Sequence, residues 1–523
     1  MIPAPHNVVD VATLIRKAAS AYRDKIAVTW EGGTLTYAQL QGRIDALATA
    51  FARRGVQAGD RVAFALANGP AFIECYLAAV ALGAIVVPLN TRFTEREFAF
   101  VLGHAEPRVV VGDETTIARI AGLEGRWRAN LFADGAPVAG VPAYQTLLAE
   151  GRDGPTPRPA IDLTTPAAII YTSGTTGSPK GVMRSQLAAV MMIVLRMAHM
   201  AIDPDTVCLA TTPMFHSGGH EFMLLQTLAA GGRIVSARAF DAESIVRLVD
   251  RERVTHTFFV PTMAVHLTEA MQRLGTAWPS LELWVSAAAL LPDAVRDKIV
   301  SAVPGTELWN CYGLTEGGTL AYLRHGDIRR KAGACVGRPM TGMELRVVDP
   351  ETGLDRPPNV VGEIICRSPE SMSGYWRNPE KSAETIRNGW IFSGDLGYLD
   401  DEGLLVLAGR AKDMIITGGE NVYAIDVESY LLGSGLVREI AVIGLEHPVW
   451  GEAVTAVVVP VTPGASDLDA ALDRYARQGL ARYKCPKRFV AVPELPKNSV
   501  GKVMKDVLKK NHATLYAGDS SPS

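Results

Sequence analysis

Apolar and polar positions along the first hundred residues follow two alternating periods. Val11 to Ala21 repeats its apolar side chains at helical spacing, and Ala27 to Trp30 is a short apolar run of strand character. Thr36-Tyr37 opens a helix that runs to Arg53, with the Thr36 hydroxyl as the expected N-cap. Gly59-Asp60 turns the chain into a strand, Arg61 to Leu66; an apolar helix follows from Ala71 to Leu82, then a strand from Ile85 to Leu89. Helix Glu95 to Gly103 and strand Val109 to Val111 continue the alternation. Such repetition predicts a parallel sheet covered by helices, an α/β fold.

Further along, Gly151 to Pro166 is rich in Pro and Gly and reads as a loop. Ala167 to Ile170, bounded by Pro166, reads as a buried strand whose end runs into a polar loop at Tyr171. Gln186 to Met200 is a helix, Val207 to Ala210 and Leu283 to Ser286 are strands, and the strand Thr255 to Val260 is expected to end in a loop at Pro261-Thr262. The last part predicts strands at Glu439 to Gly444, Ala453 to Val461 and Arg488 to Pro493, with a helix at Leu468 to Gly479. The chain carries no internal repeat, and its one low-complexity tract is the polar tail from Gly518 to Ser523.

At 523 residues the chain exceeds the size at which one core stops growing, so two or more domains are expected. A net charge of −3 provides no basic field to recruit nucleic acid or anionic lipid, so any cationic chemistry has to be local. The six cysteines (Cys75, Cys208, Cys311, Cys335, Cys366 and Cys485) show neither Cys-x-x-Cys nor metal-site spacing and read as thiols of a reducing compartment. Asp10, Arg16, Lys17, Arg23 and Asp24 break every apolar run near the N-terminus, so no signal-peptide core is expected. The longest uncharged apolar run, Tyr76 to Leu89, is shorter than the ~20 residues a spanning helix needs. The expectation is a cytoplasmic protein without stable membrane insertion.

The chemistry concentrates in Tyr171 to Gly181, read Tyr-Thr-Ser-Gly-Thr-Thr-Gly-Ser-Pro-Lys-Gly. Glycines let backbone N–H groups approach an anion, the hydroxyls of Thr172, Ser173, Thr175 and Thr176 add donors, and Lys180 adds charge, which suits a loop that grips a polyphosphate. The Gly-x4-Gly-Lys-Ser/Thr spacing of a P-loop is absent, since Lys180 follows Ser178-Pro179. This stretch resembles the signature loop of the adenylate-forming superfamily, which contains acyl-CoA synthetases, luciferases and the adenylation domains of peptide synthetases. Further motifs follow in the family's order, so that the resemblance spans about Leu35 to Lys505.

The resemblance implies a large, multi-subdomain α/β N-terminal domain over residues 1–409 and a small, mobile α+β lid domain over 410–523. It implies ATP, Mg²⁺ and coenzyme A as reaction partners, with a small-molecule carboxylic acid as substrate. In these terms Thr172, Ser173, Gly174, Thr175, Thr176, Gly177 and Lys180 hold phosphate, and Thr175 has a catalytic share. Ala287 and Ala288, where the family often has glycines, lie against adenine; the change from Gly to Ala reads as small. Asn310, Tyr312, Gly313 and Thr315 belong to a Tyr-Gly-x-Thr-Glu motif, whose Glu316 is the Mg²⁺ ligand and a catalytic residue. Asp395 accepts from the ribose hydroxyls, Arg410 reaches ribose or phosphate, Lys412 is the hinge, and Lys502 is the catalytic lysine that leaves when the lid turns. For coenzyme A the implied contacts are Arg92, Gly418, Trp450 and Tyr483.

The acyl pocket implied by the same analogy is bordered by His216, Ser217, Gly218 and Val260 on one side and by Ala287, Cys311, Gly313 and Gly318 on the other. These are mostly small or apolar, with no Arg or Lys to pair a second carboxylate, which predicts a monocarboxylic acid, aromatic or medium-chain aliphatic. His216 and His220 stand four apart, a metal-pair spacing, but Gly218-Gly219 between them argues against a continuous helix and no third ligand stands at spacing; His220 reads as a satisfied wall histidine. A peptide-synthetase-type domain would want an acidic residue near His216 and a carrier domain after it, and a luciferase-like enzyme shares the adenylation motifs. An acid–CoA ligase is the expected function, with another acceptor as the alternative, and a homodimer is left open.

Overall fold

The computed structural model describes residues 9–172, 179–328, 331, 334–464, 467–498 and 503–517. It is an α/β molecule with a large N-terminal domain and a small C-terminal one, built on three sheets. Local signals set the helix starts: Thr36 and Gln39 close a capping box on Tyr37–Arg53, Thr94 and Glu97 close another on Glu95–Ala105, and Pro70 occupies the first turn of Pro70–Ala81.

The early strands do not form one parallel sheet. Arg61–Ala65, Ile85–Pro88, Val109–Asp113, Leu131–Asp134 and Pro166–Thr172 are parallel members of a seven-stranded sheet that Lys180–Ser185 and Gly374–Tyr375 extend antiparallel. Ile26–Trp30 instead joins a fourteen-stranded sheet, beside Arg233–Ser236. Pro166 lies inside its strand, as the first residue, where a missing N–H is tolerated. Tyr171 and Thr172 belong to that strand and Lys180 opens the next, an antiparallel partner in which Lys180 stands opposite Thr172.

In the fourteen-stranded sheet Val207–Ala210, His256–Phe259, Leu283–Ser286 and Glu307–Leu314 run parallel, so their carboxyl ends share one edge. That edge of an open sheet is where ligand sites form. Pro261-Thr262 is not a loop: Pro261 is the first residue of helix Pro261–Leu274, because its fixed φ and absent N–H suit that position. Helices Glu114–Ile120, Tyr144–Gly151, Ala424–Leu432 and Lys505–Asn511 are short, and their apolar repeats span too few turns to show in the sequence.

The last strand of the large sheet ends at Arg410, and the first strand of the five-stranded C-terminal sheet begins at Ile415. That small sheet buries its own core of Ile415, Val422, Val427, Val442, Val454 and Val458. Among the described residues no helix is long and apolar enough to cross a membrane.

Candidate active site

Two strand pairs of the large sheet bring the nucleotide-side residues together. Asp395 and Arg410 face each other across antiparallel strands, and the Arg410 Nε forms an ion pair with Asp395 Oδ1 at 2.9 Å. The Tyr312 hydroxyl donates to Asp395 Oδ2 at 2.7 Å. Burial, reinforced by the Asp395 charge, raises the Tyr312 phenol well above its ordinary range, so it stays a donor. Asp395 sits in a strand, not a turn; its Oδ2 takes the Tyr312 hydroxyl and its Oδ1 faces the Arg410 guanidinium, and each oxygen keeps a lone pair for an incoming hydroxyl. Asn310 is buried and spends an amide N–H on the Cys335 carbonyl at 3.1 Å.

Glu316 lies just beyond. Its Oε1 accepts from the Tyr375 hydroxyl at 2.9 Å, and its Oε2 has no partner among the described residues. Lys180 stands 5.6 Å from the centre of the Tyr375 ring. Burial and the neighbouring Lys381 lower its ammonium pKa, while Glu316 and Glu384 oppose the shift. Lys180 is thus near enough to Glu316 to feel its charge. Ser173, Gly174, Thr175, Thr176 and Gly177 lie outside the described residues. Thr172 is the last described residue before them.

On the acyl side, Asn68 holds the end of strand Val207–Ala210 in place. Its amide N–H groups donate to the carbonyls of Ala210 (3.4 Å) and Thr212 (3.1 Å), and its Oδ1 accepts from the Met214 N–H at 2.8 Å. Ser217–His220 then makes one helical turn despite Gly218-Gly219. Bulk explains it: a Cβ on Gly219 would sit 2.1 Å from the Pro213 carbonyl oxygen, so the close approach requires glycine. His220 is fully buried, its Nδ1 bonded to the carbonyls of Met214 (2.7 Å) and His216 (2.9 Å), with Tyr76 and Phe72 packed on the ring. Its Nε2 has no protein partner, so it is satisfied on one side only. The His216 ring packs on Phe215, and burial, with His220 and Arg92 adding to it, pushes its imidazole down to about 3. Its edge nonetheless remains partly open. Next to Gly218 a small cavity of about 10 Å³, room for about one water, is lined by Thr211, Gly218, Met223 and Phe258.

One contact links the two halves: Ser217 Oγ lies 3.3 Å from Thr315 Oγ1. Val260, Ala287 and Cys311 are buried in the same core. Gly318 has φ +83, and a Cβ there would fall 2.3 Å from a Glu370 carboxylate oxygen; at Gly313 it would meet the Gly318 carbonyl at 2.5 Å. Ala288 corrects the reading of its exchange as small. Its φ is +70, a left-handed conformation that costs an alanine about 1 kcal/mol where glycine adopts it freely.

Four buried charges were not foreseen. Arg184 pairs with Glu221 through Nε–Oε1 at 3.1 Å and Nη2–Oε2 at 3.2 Å, and Arg196 with Glu370 at 2.7 Å, every side chain nearly inaccessible. The sequence did carry a signal at Arg196, which interrupts the apolar run Met191 to Ala198, and a buried charge must be paired. Arg196 therefore lies near Cys311 after all, but its charge is spent on Glu370.

In the small domain Lys412, on a short turn, pairs with Asp506 at 3.2 Å. The Gly418 N–H donates to the Trp450 carbonyl at 2.8 Å, and a Cβ on Gly418 would be 3.1 Å from the indole; Lys487 Nζ stands 4.7 Å from the indole centre. Tyr483 is exposed and sits next to Lys484, which pairs with Asp426; no contact among the described residues brings it to Trp450. Arg92 is an exposed residue after strand Ile85–Pro88, near enough to His216 to influence its proton affinity. Lys502 lies outside the described residues.

Comparison with known proteins places two family models on the chain: AMP-binding enzyme over residues 15–376 and AMP-binding enzyme C-terminal domain over 426–502. Indoleacetate–CoA ligase of Aromatoleum aromaticum is 34% identical over 96% of this chain and 98% of its own. Feruloyl-CoA synthase of an Amycolatopsis species is 33% identical over 92% and 95%. Among solved structures, ATP-bound MatB from Rhodopseudomonas palustris superimposes with a TM-score of 0.88 at 31% identity, covering 97% of this chain and 100% of that one. The amide bond synthetase McbA from Marinactinospora thermotolerans gives 0.85 at 28% identity, covering 96% and 99%.

Proposed function

Since the chain belongs to the AMP-binding enzyme family, we propose that it is an ATP-dependent acid–CoA ligase that activates a monocarboxylic acid, aromatic or medium-chain aliphatic, as its acyl-adenylate. A carboxylate is a poor electrophile towards a thiol, so the acyl group first needs a good leaving group. The acid's carboxylate attacks the α-phosphorus of ATP and pyrophosphate departs; the thiol of coenzyme A then attacks the acyl carbon, and AMP and a proton leave. The protein's share is positioning and charge neutralisation.

The observation that carries this reading is the 3.3 Å contact between Ser217 and Thr315, because it sets the Ser217–His220 turn against the loop that bears Glu316. On the nucleoside side Tyr312, Asp395 and Arg410 offer a ring face, two oxygens with spare lone pairs and a cation. Glu316, anionic and with one oxygen open, fits a hard divalent cation, and Lys180 stands near it. Mg²⁺ held there would neutralise phosphate charge. Lys502 is assigned the attacking carboxylate and α-phosphate, and Lys412 the pivot between the 1–409 and 410–523 domains. Trp450, Gly418, Tyr483 and Arg92 are the coenzyme A side. The two buried arginines are each paired, with Glu221 and Glu370, which supports a monocarboxylate.

All six cysteines are unpaired thiols, which supports a cytoplasmic enzyme. A second reading, transfer to an amine in place of a thiol, draws on the likeness to an amide bond synthetase. Pyrophosphate exchange across a panel of carboxylic acids tests the first step, and preference for a dicarboxylate or an amino acid would overturn the substrate class. Product analysis with coenzyme A and with simple amines decides the acceptor.

A further inference from the structure

The paired charges behind the acyl side do more than fill the core. Arg184 has four contacts: two on the Glu221 carboxylate, one on the Thr315 carbonyl at 2.7 Å and one on the Glu370 carbonyl. Glu221 follows directly on the Ser217–His220 turn of the acyl side. Glu370 in turn takes Arg196 at 2.7 Å and the Thr319 N–H at 3.3 Å, while the Ser368 hydroxyl donates to the Gly317 carbonyl at 2.8 Å. The loop from Thr315 to Thr319 is thus held at its start, middle and end, and Glu316, between them, gives its carbonyl to the Met372 N–H at 2.7 Å. Arg184 also shares a strand face with Lys180, four residues earlier on Lys180–Ser185, so one strand orients both the phosphate-side cation and the tie.

A buried ion network of this kind is weak evidence for stability, since apolar groups of similar volume replace such pairs at little or no cost. What it does supply is fixed geometry. We infer that Arg184 is a positioning residue for adenylation: through Glu221 it links the acyl-side turn to the Thr315 carbonyl, and so sets where the Thr315 hydroxyl and the Glu316 carboxylate stand when acid and nucleotide meet. The inference rests on the ligase reading above. It predicts an asymmetry between the half-reactions, because Glu316 and Thr315 serve the phosphates that depart in the first.

Two variants test it. Arg184→Lys keeps the charge opposite Glu221 but cannot make four directed contacts with one ammonium. The double variant Arg184→Met with Glu221→Leu removes the charges together at similar volume, and serves if the single variant folds poorly. Both are checked by circular dichroism and thermal melting. Acid-dependent ATP–pyrophosphate exchange should fall tenfold or more, while thioester formation from synthetic acyl-adenylate and coenzyme A should stay within twofold of wild type. Exchange within twofold of wild type, or equal losses in both half-reactions, would overturn the inference and leave the network a packing device. Absence of exchange in the wild type with every acid would defeat the ligase reading and this inference with it, whereas an active wild type beside an equally active variant defeats the inference alone.

Discussion

Replacing Tyr312 by Phe isolates one hydrogen bond and leaves the ring. The hydroxyl donates to Asp395 Oδ2 at 2.7 Å in a buried setting, and hydrogen bonds to charged groups contribute about 1.5–3 kcal/mol. Asp395 keeps Arg410 on its other oxygen, and water or a ribose hydroxyl can take up part of the lost donation, so the lower half of that range applies. A loss of about 1.5–2.2 kcal/mol corresponds to roughly a twelve- to fortyfold rise in the KM for ATP, at ~1.4 kcal/mol per factor of ten. The turnover number should change little, because the ring face and the phosphate-side residues remain. The effect should be flat from pH 6 to 9, because burial and Asp395 keep the phenol protonated. Exchange assays with ATP varied at saturating acid, then acid varied at saturating ATP, separate the two sites. A KM for ATP within twofold of wild type, or a rise only in the KM for the acid, would refute Asp395 as the nucleoside's acceptor.

Lys502→Ala should lower acyl-adenylate formation a hundredfold or more, a contact of about 3 kcal/mol, yet still convert supplied acyl-adenylate and coenzyme A at near wild-type rate. If the two fall together, the two-position lid is wrong. Ala288→Gly should stabilise the fold by about 0.5–1 kcal/mol in chemical denaturation, since φ +70 strains alanine, and a lower midpoint would contradict that account. His216 is held neutral to about pH 3 while an unfolded histidine protonates near 6.5, so it favours folding fully above pH 6.5 and progressively less as pH falls towards 3. Thermal midpoints of His216→Asn should therefore drop less between pH 7 and 5 than those of wild type; parallel curves would show that the imidazole titrates normally.

The long periodic elements were legible: helix Val11–Ala21, the Thr36 cap and the helix Leu468–Gly479 follow directly from residue pattern. Sheet membership was not, since strand Ile26–Trp30 pairs with Arg233–Ser236 some two hundred residues away and local periodicity carries no such information. The site's named motifs were readable because each is a short run of chemistry-bearing residues, and the meeting of Tyr312 with Asp395 turns two of them into one cluster. Asn68 and the Arg184–Glu221 pair were missed for the opposite reason. Each is a single polar residue whose purpose exists only in three dimensions.

Strand Glu307–Leu314 alternates its side chains across the sheet, with Trp309 and Cys311 in the core shared by the acyl side and Tyr312 in the core beneath the nucleotide side. It therefore acts as a partition wall with independent wallpaper on each side. On the proposed reading, substitutions at Cys311 would act on the acid side while Tyr312, in the other buried cluster, keeps its place. A lineage can thus change diet one residue at a time without losing its fuel, whereas a one-residue shift in the strand's register would exchange the two faces and ruin both.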